Sequence, residues 1–486
     1  MIGGGPAGLT AAYELQQAGQ LPVVLEKDDI VGGIARTVCH KGYRFDIGGH
    51  RFFTKVPAVD RMWREVLGAD FLRRPRLSRI LYRGRFFDYP LRALNVLRGL
   101  GLFNSFRVLL SYVKARVWPR LPEVSLEDWV TNRFGARLYW IFFKTYTEKV
   151  WGIPCSKIGA EWAAQRIRGL SLTRAVMAAL VPSGSRGIKS LVDAFDYPRL
   201  GPGQMWETVA ARLAAAGCPV RMETEAVRLL HDGERILAVE TRDAEGFRQL
   251  AAAHVVSSMP LRELVEKLDP AAPPHVLAAA RALRYRDFLT VALLVDRPDL
   301  FPDNWIYVHD GDVRVGRVQN FGNWSPALVA EAGRSCLGLE YFCFEGDGLW
   351  TMRDEDLVAL AREEAAKLGL VPREAVAEGV VVRMPKAYPV YEGEYLEHLA
   401  TIRAYLDTLV NLHPVGRNGL HKYNNQDHSM FTSMLAVRNI LRDEHHDVWS
   451  VNADCEYHEE IGEDLRAERS PDGHVPAPPS TLPTER

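Results

Sequence analysis

The first eight residues commit the chain to one kind of local fold. Gly3-Gly4-Gly5-Pro6-Ala7-Gly8 sets Gly3, Gly5 and Gly8 in G-x-G-x-x-G register. In that register the first glycine makes a tight turn, the second lets backbone approach a pyrophosphate, and the third lets a helix pack closely on its strand. Leu9 to Leu15 follows as the helix, its N-terminal N–H groups toward the phosphates. Pro22-Val23-Val24-Leu25 is the next strand, and Glu26 ends it where a carboxylate accepts ribose hydroxyls. With helix, strand and acid in step, the pattern predicts a dinucleotide-binding βαβ unit at the head of an α/β fold. The opening strand of such a unit needs about five apolar residues. Only Met1 and Ile2 precede Gly3, so the start is expected to be misassigned or trimmed.

A chain of 486 residues is long for a single core and predicts two or three domains. A formal net charge of −1 argues against a nucleic-acid partner. The six cysteines (Cys39, Cys155, Cys218, Cys336, Cys343 and Cys455) form no C-x-x-C pair, which predicts a reduced, cytoplasmic protein without a disulfide framework or zinc knuckle. No leader and no membrane-spanning run is expected. The stretch from Val96 to Trp118 is apolar, with Arg98, Arg107, Lys114 and Arg116 interspersed. Two arrangements suit it: a helix lying on a membrane surface, or the commoner core-facing helix pair with snorkelling arginines. Asp443-Glu444-His445-His446-Asp447 and Tyr457-His458-Glu459-Glu460 hold metal-ligand types, but adjacent residues do not converge as ligands must, and no metal site is expected.

Asp28 to Thr37, with Gly32-Gly33 and Arg36, resembles the second glycine pair of the glutathione-reductase-like flavoproteins, in their amine oxidase and mutase branch. That resemblance implies noncovalent FAD, with the glycines under its pyrophosphate and Arg36 in contact with it. The pattern returns twice. Gly203 to Ala216 reads as a helix, followed by strands at 219–224, 226–230, 235–241 and 254–260. This is similar to the family's middle FAD segment, where backbone at Val227 holds the adenine side. Arg417 then precedes Asn425-Gln426-Asp427-His428-Ser429 and a helical run from Phe431 to Leu441, which the family points at the flavin. The expected architecture is a discontinuous Rossmann-like FAD-binding domain (1–70, 196–260 and 401–445). A helical substrate domain (71–195) and an antiparallel-sheet substrate domain (261–400) are inserted, and an extension (446–486) is expected to be disordered from about residue 466.

A narrower resemblance, in patches over most of the chain, is to the UDP-galactopyranose mutase family. Phe45-Asp46-Ile47-Gly48-Gly49-His50 resembles its flexible histidine loop, implying that Gly49 and His50 lie beside the flavin. The stretch from Tyr146 to Arg166 is similar to one supplying a sugar-facing tryptophan, here Trp151, and a diphosphate-binding arginine, here Arg166. Tyr307 and Arg317 match a phosphate-binding tyrosine and the second diphosphate arginine, and Tyr388 and Tyr423 match two further phosphate-contacting tyrosines. Arginine forks and tyrosine hydroxyls suit a diphosphate. Arg83 to Pro90 resembles the uridine loop and keeps its tyrosine as Tyr89, but Leu91-Arg92 replaces Phe-Gln, which weakens the case for uracil.

The resemblance implies chemistry at N5 of a reduced flavin on a nucleotide-diphosphate sugar, without net redox change; NAD(P)H is a candidate reductant. The alternative is an FAD oxidoreductase of the protoporphyrinogen oxidase or amine oxidase type. A flavin-bound scaffold is a third reading.

Overall fold

The computed structural model describes residues 1–91, 93–160 and 194–451. Arg92, Arg166, Cys455 and the tail from residue 466 lie outside that set.

Five short parallel segments from three separated stretches of chain form the layer beneath the glycine loop. Their order is Val220–Arg221, Val24–Leu25, Ile2, Val255–Ser257 and Leu412–Pro414. Ile2 holds the centre: its N–H donates to Val256 O at 2.9 Å, and the N–H of Leu25 donates to Met1 O at 2.9 Å. The strands are shorter than the apolar runs that announced them. Helices Pro6–Gln17, Gly203–Ala215 and Gln426–Arg442 pack with this layer, and Leu9, Ala12, Val24, Met205, Val209 and Met430 share one core. Beside it, Glu225–His231, Ile236–Asp243 and Gly246–Ala251 make an antiparallel meander.

The larger sheet has seven strands in the order Val376–Pro389, Tyr285–Val295, Ser335–Cys343, Arg317–Asn320, Trp305–Val308, Ser78–Tyr82 and Arg85–Asp88. All neighbours are antiparallel except Trp305–Val308 with Ser78–Tyr82, which run parallel. Residues 71–88, expected as the start of a mostly helical stretch, are strands instead. Ser78–Tyr82 and Arg85–Asp88 form a hairpin whose two loop residues, Arg83 and Gly84, both have positive φ (51° and 69°). That two-residue turn matches the right-handed twist of its strands.

Alternation along the sheet decides what faces what. Leu289, Val291, Leu293, Val318, Leu337 and Leu339 pack with Leu357, Ala361 and Ala365 of the helix Asp354–Lys367. The opposite face carries Phe288, Ala292, Trp305 and Cys336 against Phe45, Ile47, Phe195 and Tyr197. The histidine loop therefore lies on the face remote from that helix.

The helical expectation for 91–150 fares better. Ala93–Val117 is helical with a break at Gly101 (φ 78°, ψ 162°), and Leu126–Phe134 and Thr145–Trp151 follow. Among the described residues no helix is long and apolar enough to cross a membrane.

Candidate functional site

At the nucleotide end the two glycine segments touch. The Gly32 N–H donates to Gly4 O at 2.8 Å, and a Cβ on Gly5 would stand 3.7 Å from Gly33 Cα. Gly8 is pressed against the turn it follows: a Cβ there would fall 1.9 Å from Gly3 O, an overlap that no side chain can relieve. Glu26 is buried and accepts from the N–H groups of Gly4 (2.6 Å) and Asp28 (3.0 Å). Burial raises its carboxyl above the usual range, and those N–H groups pull it back. A carboxylate has about four lone-pair sites, so two acceptor positions remain for ribose hydroxyls. Arg36 pairs with Asp28 at 2.8 Å, while its Nε is buried without a partner among the described residues. Val227 stands where the register between Glu225–His231 and Ile236–Asp243 skips a residue. A bulge residue leaves the ladder, which frees its backbone groups to meet a ligand.

The third cofactor segment is tied to the first two through side chains. Asn425 precedes Gln426–Arg442, and its N–H donates to His428 Nδ1 at 3.2 Å. Gln426 Oε1 accepts from Trp206 Nε1 (3.1 Å), and Ser429 Oγ donates to Asn424 Oδ1 (2.8 Å). Asn424 Nδ2 is buried with no partner among the described residues. Arg417 does not present an open fork. Its Nε and one terminal nitrogen donate to Asn424 O and the other terminal nitrogen donates to Ala387 O, so it ties this segment to the large sheet.

The Arg36 and Asn424 donors that find no partner among the described residues, with two spare lone-pair positions on Glu26, fit a flavin dinucleotide. Glu26 would hold the ribose, the glycine segments and Arg36 the pyrophosphate, and the Asn425 helix start the ring end.

The second half of the site grows from the inner face of the large sheet. Period-2 alternation sets Trp305 and Tyr307, Arg317 and Gln319, and Glu340 and Phe342 on that face. Arg317 lies directly opposite Glu340 in register, and its Nε donates to that carboxylate; Gln319 Nε2 donates to the other oxygen at 2.6 Å. Glu340 is 0 % exposed. Burial works against the Arg317 charge, but Glu340, Tyr146, Tyr388 and Tyr307 outweigh it and hold the guanidinium firmly protonated. Tyr307 has Tyr89 at 4.9 Å and Tyr146 edge-on at 5.4 Å. Tyr388 and Tyr423 stack at 5.8 Å, with the Arg417 guanidinium 5.4 and 4.9 Å from their centroids.

His50 joins the two halves. Its Nδ1 lies 3.1 Å from Gly48 O, and a Cβ on Gly49 would sit 3.1 Å from Gln319 Nε2. Enclosure, then the charges of Arg417 and Arg317, push its imidazole down to about 3. That leaves it neutral at physiological pH, able to hydrogen-bond without carrying charge. Trp151 ends Thr145–Trp151, buried among the helical segments, with its ring 6.2 Å from that of Tyr391. Tyr391 in turn accepts the Tyr423 N–H at 2.5 Å.

Sequence reasoning missed four participants. Arg51 and Arg76 both stand over the Trp305 indole, at 5.7 and 5.5 Å, and Arg76 is 5.9 Å from the Tyr89 ring. Burial and then Arg76 push the Arg51 guanidinium down to about 10. Arg76 Nε is buried without a partner among the described residues. Glu340 and Asn424 are the others. An acid in the otherwise apolar run Leu337 to Cys343 was the one available signal.

Residues 6–401 match the model of the flavin-containing amine oxidoreductase family. The chain belongs to this family. It is therefore a flavin enzyme of mixed α/β fold. Phytoene dehydrogenase of Streptomyces griseus is 25% identical over 258 residues, half of this chain and half of that protein. Coproporphyrinogen III oxidase of Mycobacterium tuberculosis (strain H37Rv) is 25% identical over 441 residues, covering 84% of this chain and 90% of that one. Among solved structures, a reduced UDP-galactopyranose mutase superposes with a TM-score of 0.81 at 22% identity, over 93% of this chain and 97% of that one. A protein named as a putative protoporphyrinogen oxidase, from Exiguobacterium sp. 255-15, gives 0.67 at 17% identity, over 91% and 98%. At such identities these two likenesses speak for the fold.

Proposed function

We propose that this family member binds FAD noncovalently and acts on a small molecule carrying a diphosphate, best a nucleotide-diphosphate sugar. The observation that carries the reading is the charge balance of the Tyr–Arg cluster. Glu340 is already engaged by Arg317 and Gln319, while Arg51 and Arg76 crowd one indole beside the hydroxyl-bearing rings of Tyr89 and Tyr307. Two like charges held together favour an anion between them.

When bound, reduced flavin supplies a nucleophile that lets a sugar's anomeric bond be exchanged without net redox change. The chain's own residues grip and orient. Arg51, Arg76 and Arg317, with Arg166 proposed as a further fork, hold the diphosphate. Tyr307, Tyr388 and Tyr423 donate to its oxygens, Trp151 faces the sugar side, and neutral His50 steadies the loop at the flavin. Holding both ends of the substrate supplies the orientation that such an exchange requires. The Leu91-Arg92 departure leaves the base open.

A second reading has its own support, because a relative matched over 84% of this chain is a coproporphyrinogen III oxidase. There the same arginines would pair substrate carboxylates. Flavin absorbance and thermal shift with UDP-, GDP- and TDP-sugars, with and without reductant, separate the two. A saturable shift with at least one nucleotide sugar supports the mutase-like reading. Silence toward all of them, with oxygen-dependent peroxide from a porphyrinogen, supports the oxidase.

A further inference from the structure

The helix Ala93–Val117 wears its apolar side outward. After the break at Gly101, Leu102, Phe103, Phe106, Leu110, Val113 and Val117 are all exposed, Leu102 at 93% and Phe103 at 73%. With ~100° between successive residues, these fall in one stripe. Val108 and Ala115, the buried residues of this half, lie on the opposite side. That inner side is fixed: Ser111 Oγ accepts the Arg137 N–H at 3.0 Å, and a Cβ on Gly135 would meet Tyr112 N at 2.7 Å. Just past the helix, Trp118 and Leu121 are also exposed, at 73% and 77%. More than half of the large hydrophobic side chains exposed among the described residues fall between Leu97 and Trp140.

The charges on this helix are of one sign. Arg98, Arg107, Lys114 and Arg116 are exposed, Ala93–Val117 contains no acid, and none of the four has an ion-pair partner among the described residues. At the same angular step, Arg107 and Lys114 border one edge of the stripe and Arg116 the other. Beyond the helix, the carboxylates of Glu123, Glu127 and Asp128 are already paired with Arg133 and Arg120.

We infer that this helix is a docking surface for an anionic lipid bilayer, lying in its interface rather than crossing it. An outward apolar stripe bordered by unpaired bases matches acyl chains below and anionic headgroups beside them. The fold already anchors the helix at its base: Arg85 donates to Gly99 O at 2.6 Å, and Asn95 Oδ1 accepts the Asp88 N–H at 3.0 Å. The strand making both contacts leads directly into Tyr89, so a docked molecule carries the Tyr–Arg cluster within one strand of the surface.

The test is flotation of the flavin-loaded full chain with phosphatidylcholine vesicles, with or without about one-third phosphatidylglycerol. Flotation with the anionic vesicles alone, weakened as salt rises, is expected. Phe103→Glu with Phe106→Glu should lower the bound fraction tenfold or more. Arg107→Glu with Lys114→Glu, two exposed changes that leave the inner side intact, should do the same with an unaltered flavin spectrum. Wild-type protein that stays down with both vesicle types, or floats equally with both, overturns the inference. So does a dimer that Phe103→Glu converts to monomer in protein that never floats, since the stripe would then belong to a second copy.

Discussion

The two halves of the site are built by different means. The nucleotide end is mostly backbone: two glycine segments in contact and one acid, with Gly3 to Gly33 contributed by 31 consecutive residues. The Tyr–Arg cluster is almost wholly side chain, drawn from the histidine loop, four strands of the large sheet, a helix and the Tyr89 turn. A backbone site tolerates little at its glycines and much around them. A side-chain site should answer to single changes mainly in ligand choice, except at its buried ion pair, Arg317 with Glu340.

The comparison breaks most visibly at Gly8. Gly8→Val drives carbon into Gly3 O, so flavin content, read as absorbance per protein after purification, should fall to near zero together with soluble yield. Retained flavin would show that the turn is not what grips the dinucleotide.

Arg317→Met tests the other half. It leaves Glu340 buried without its cation, which costs about 3–5 kcal/mol, measurable by urea unfolding. Adding Glu340→Leu should recover most of that stability while ligand affinity stays at least tenfold down. Recovery of affinity in the double variant would separate Arg317 from binding.

Glu26→Gln keeps shape but removes the charge-assisted bonds to ribose, worth about 1.5–3 kcal/mol. FAD affinity should fall about tenfold or more, with nucleotide-sugar binding to reloaded protein unchanged. Coupled losses would mean that the two halves are one site.

A smaller effect sharpens the picture beneath the cluster. His309 is buried, stacked 5.0 Å from Tyr146, and burial pushes its imidazole down to about 3. Its unfolded counterpart takes a proton near pH 6.5, so stability falls as pH drops from there toward 3. Asp46 acts in the opposite sense: burial raises it to about 7, so stability falls as pH rises toward that value. His309→Phe should therefore make the acid-side slope shallower by up to ~1.4 kcal/mol per pH unit. An unchanged slope would mean that His309 titrates normally.

What was readable in the sequence follows the same divide. Gly3, Gly5, Gly8, Glu26, Gly32 and Gly33 act at fixed local spacing, so their pattern survives in one dimension. Glu340 and Arg317 meet only because two strands 23 positions apart share a register. Arg76 and Arg51 meet over an indole contributed by a third strand. The hairpin at 78–88 was hidden because its turn, Arg83-Gly84, lacks the Asn-Gly or Asp-Gly signature. The last cofactor helix spans Gln426–Arg442, so the motif from Asn425 to Ser429 marks its start; the helical run from Phe431 omits that first turn, which buries polar groups (Asp427, His428, Ser429). On the helix Ala93–Val117 both arrangements were open, because periodicity shows a stripe without showing which way it faces.

The most direct measurement of the central claim is calorimetric titration of flavin-loaded wild type and Arg76→Ala with UDP, GDP and TDP, each against its unphosphorylated nucleoside. At least one diphosphate should bind wild type, its nucleoside far more weakly, and Arg76→Ala should lose tenfold or more in affinity at unchanged flavin content. Equal affinity in the two proteins, or no binding of any nucleoside diphosphate, would contradict that claim.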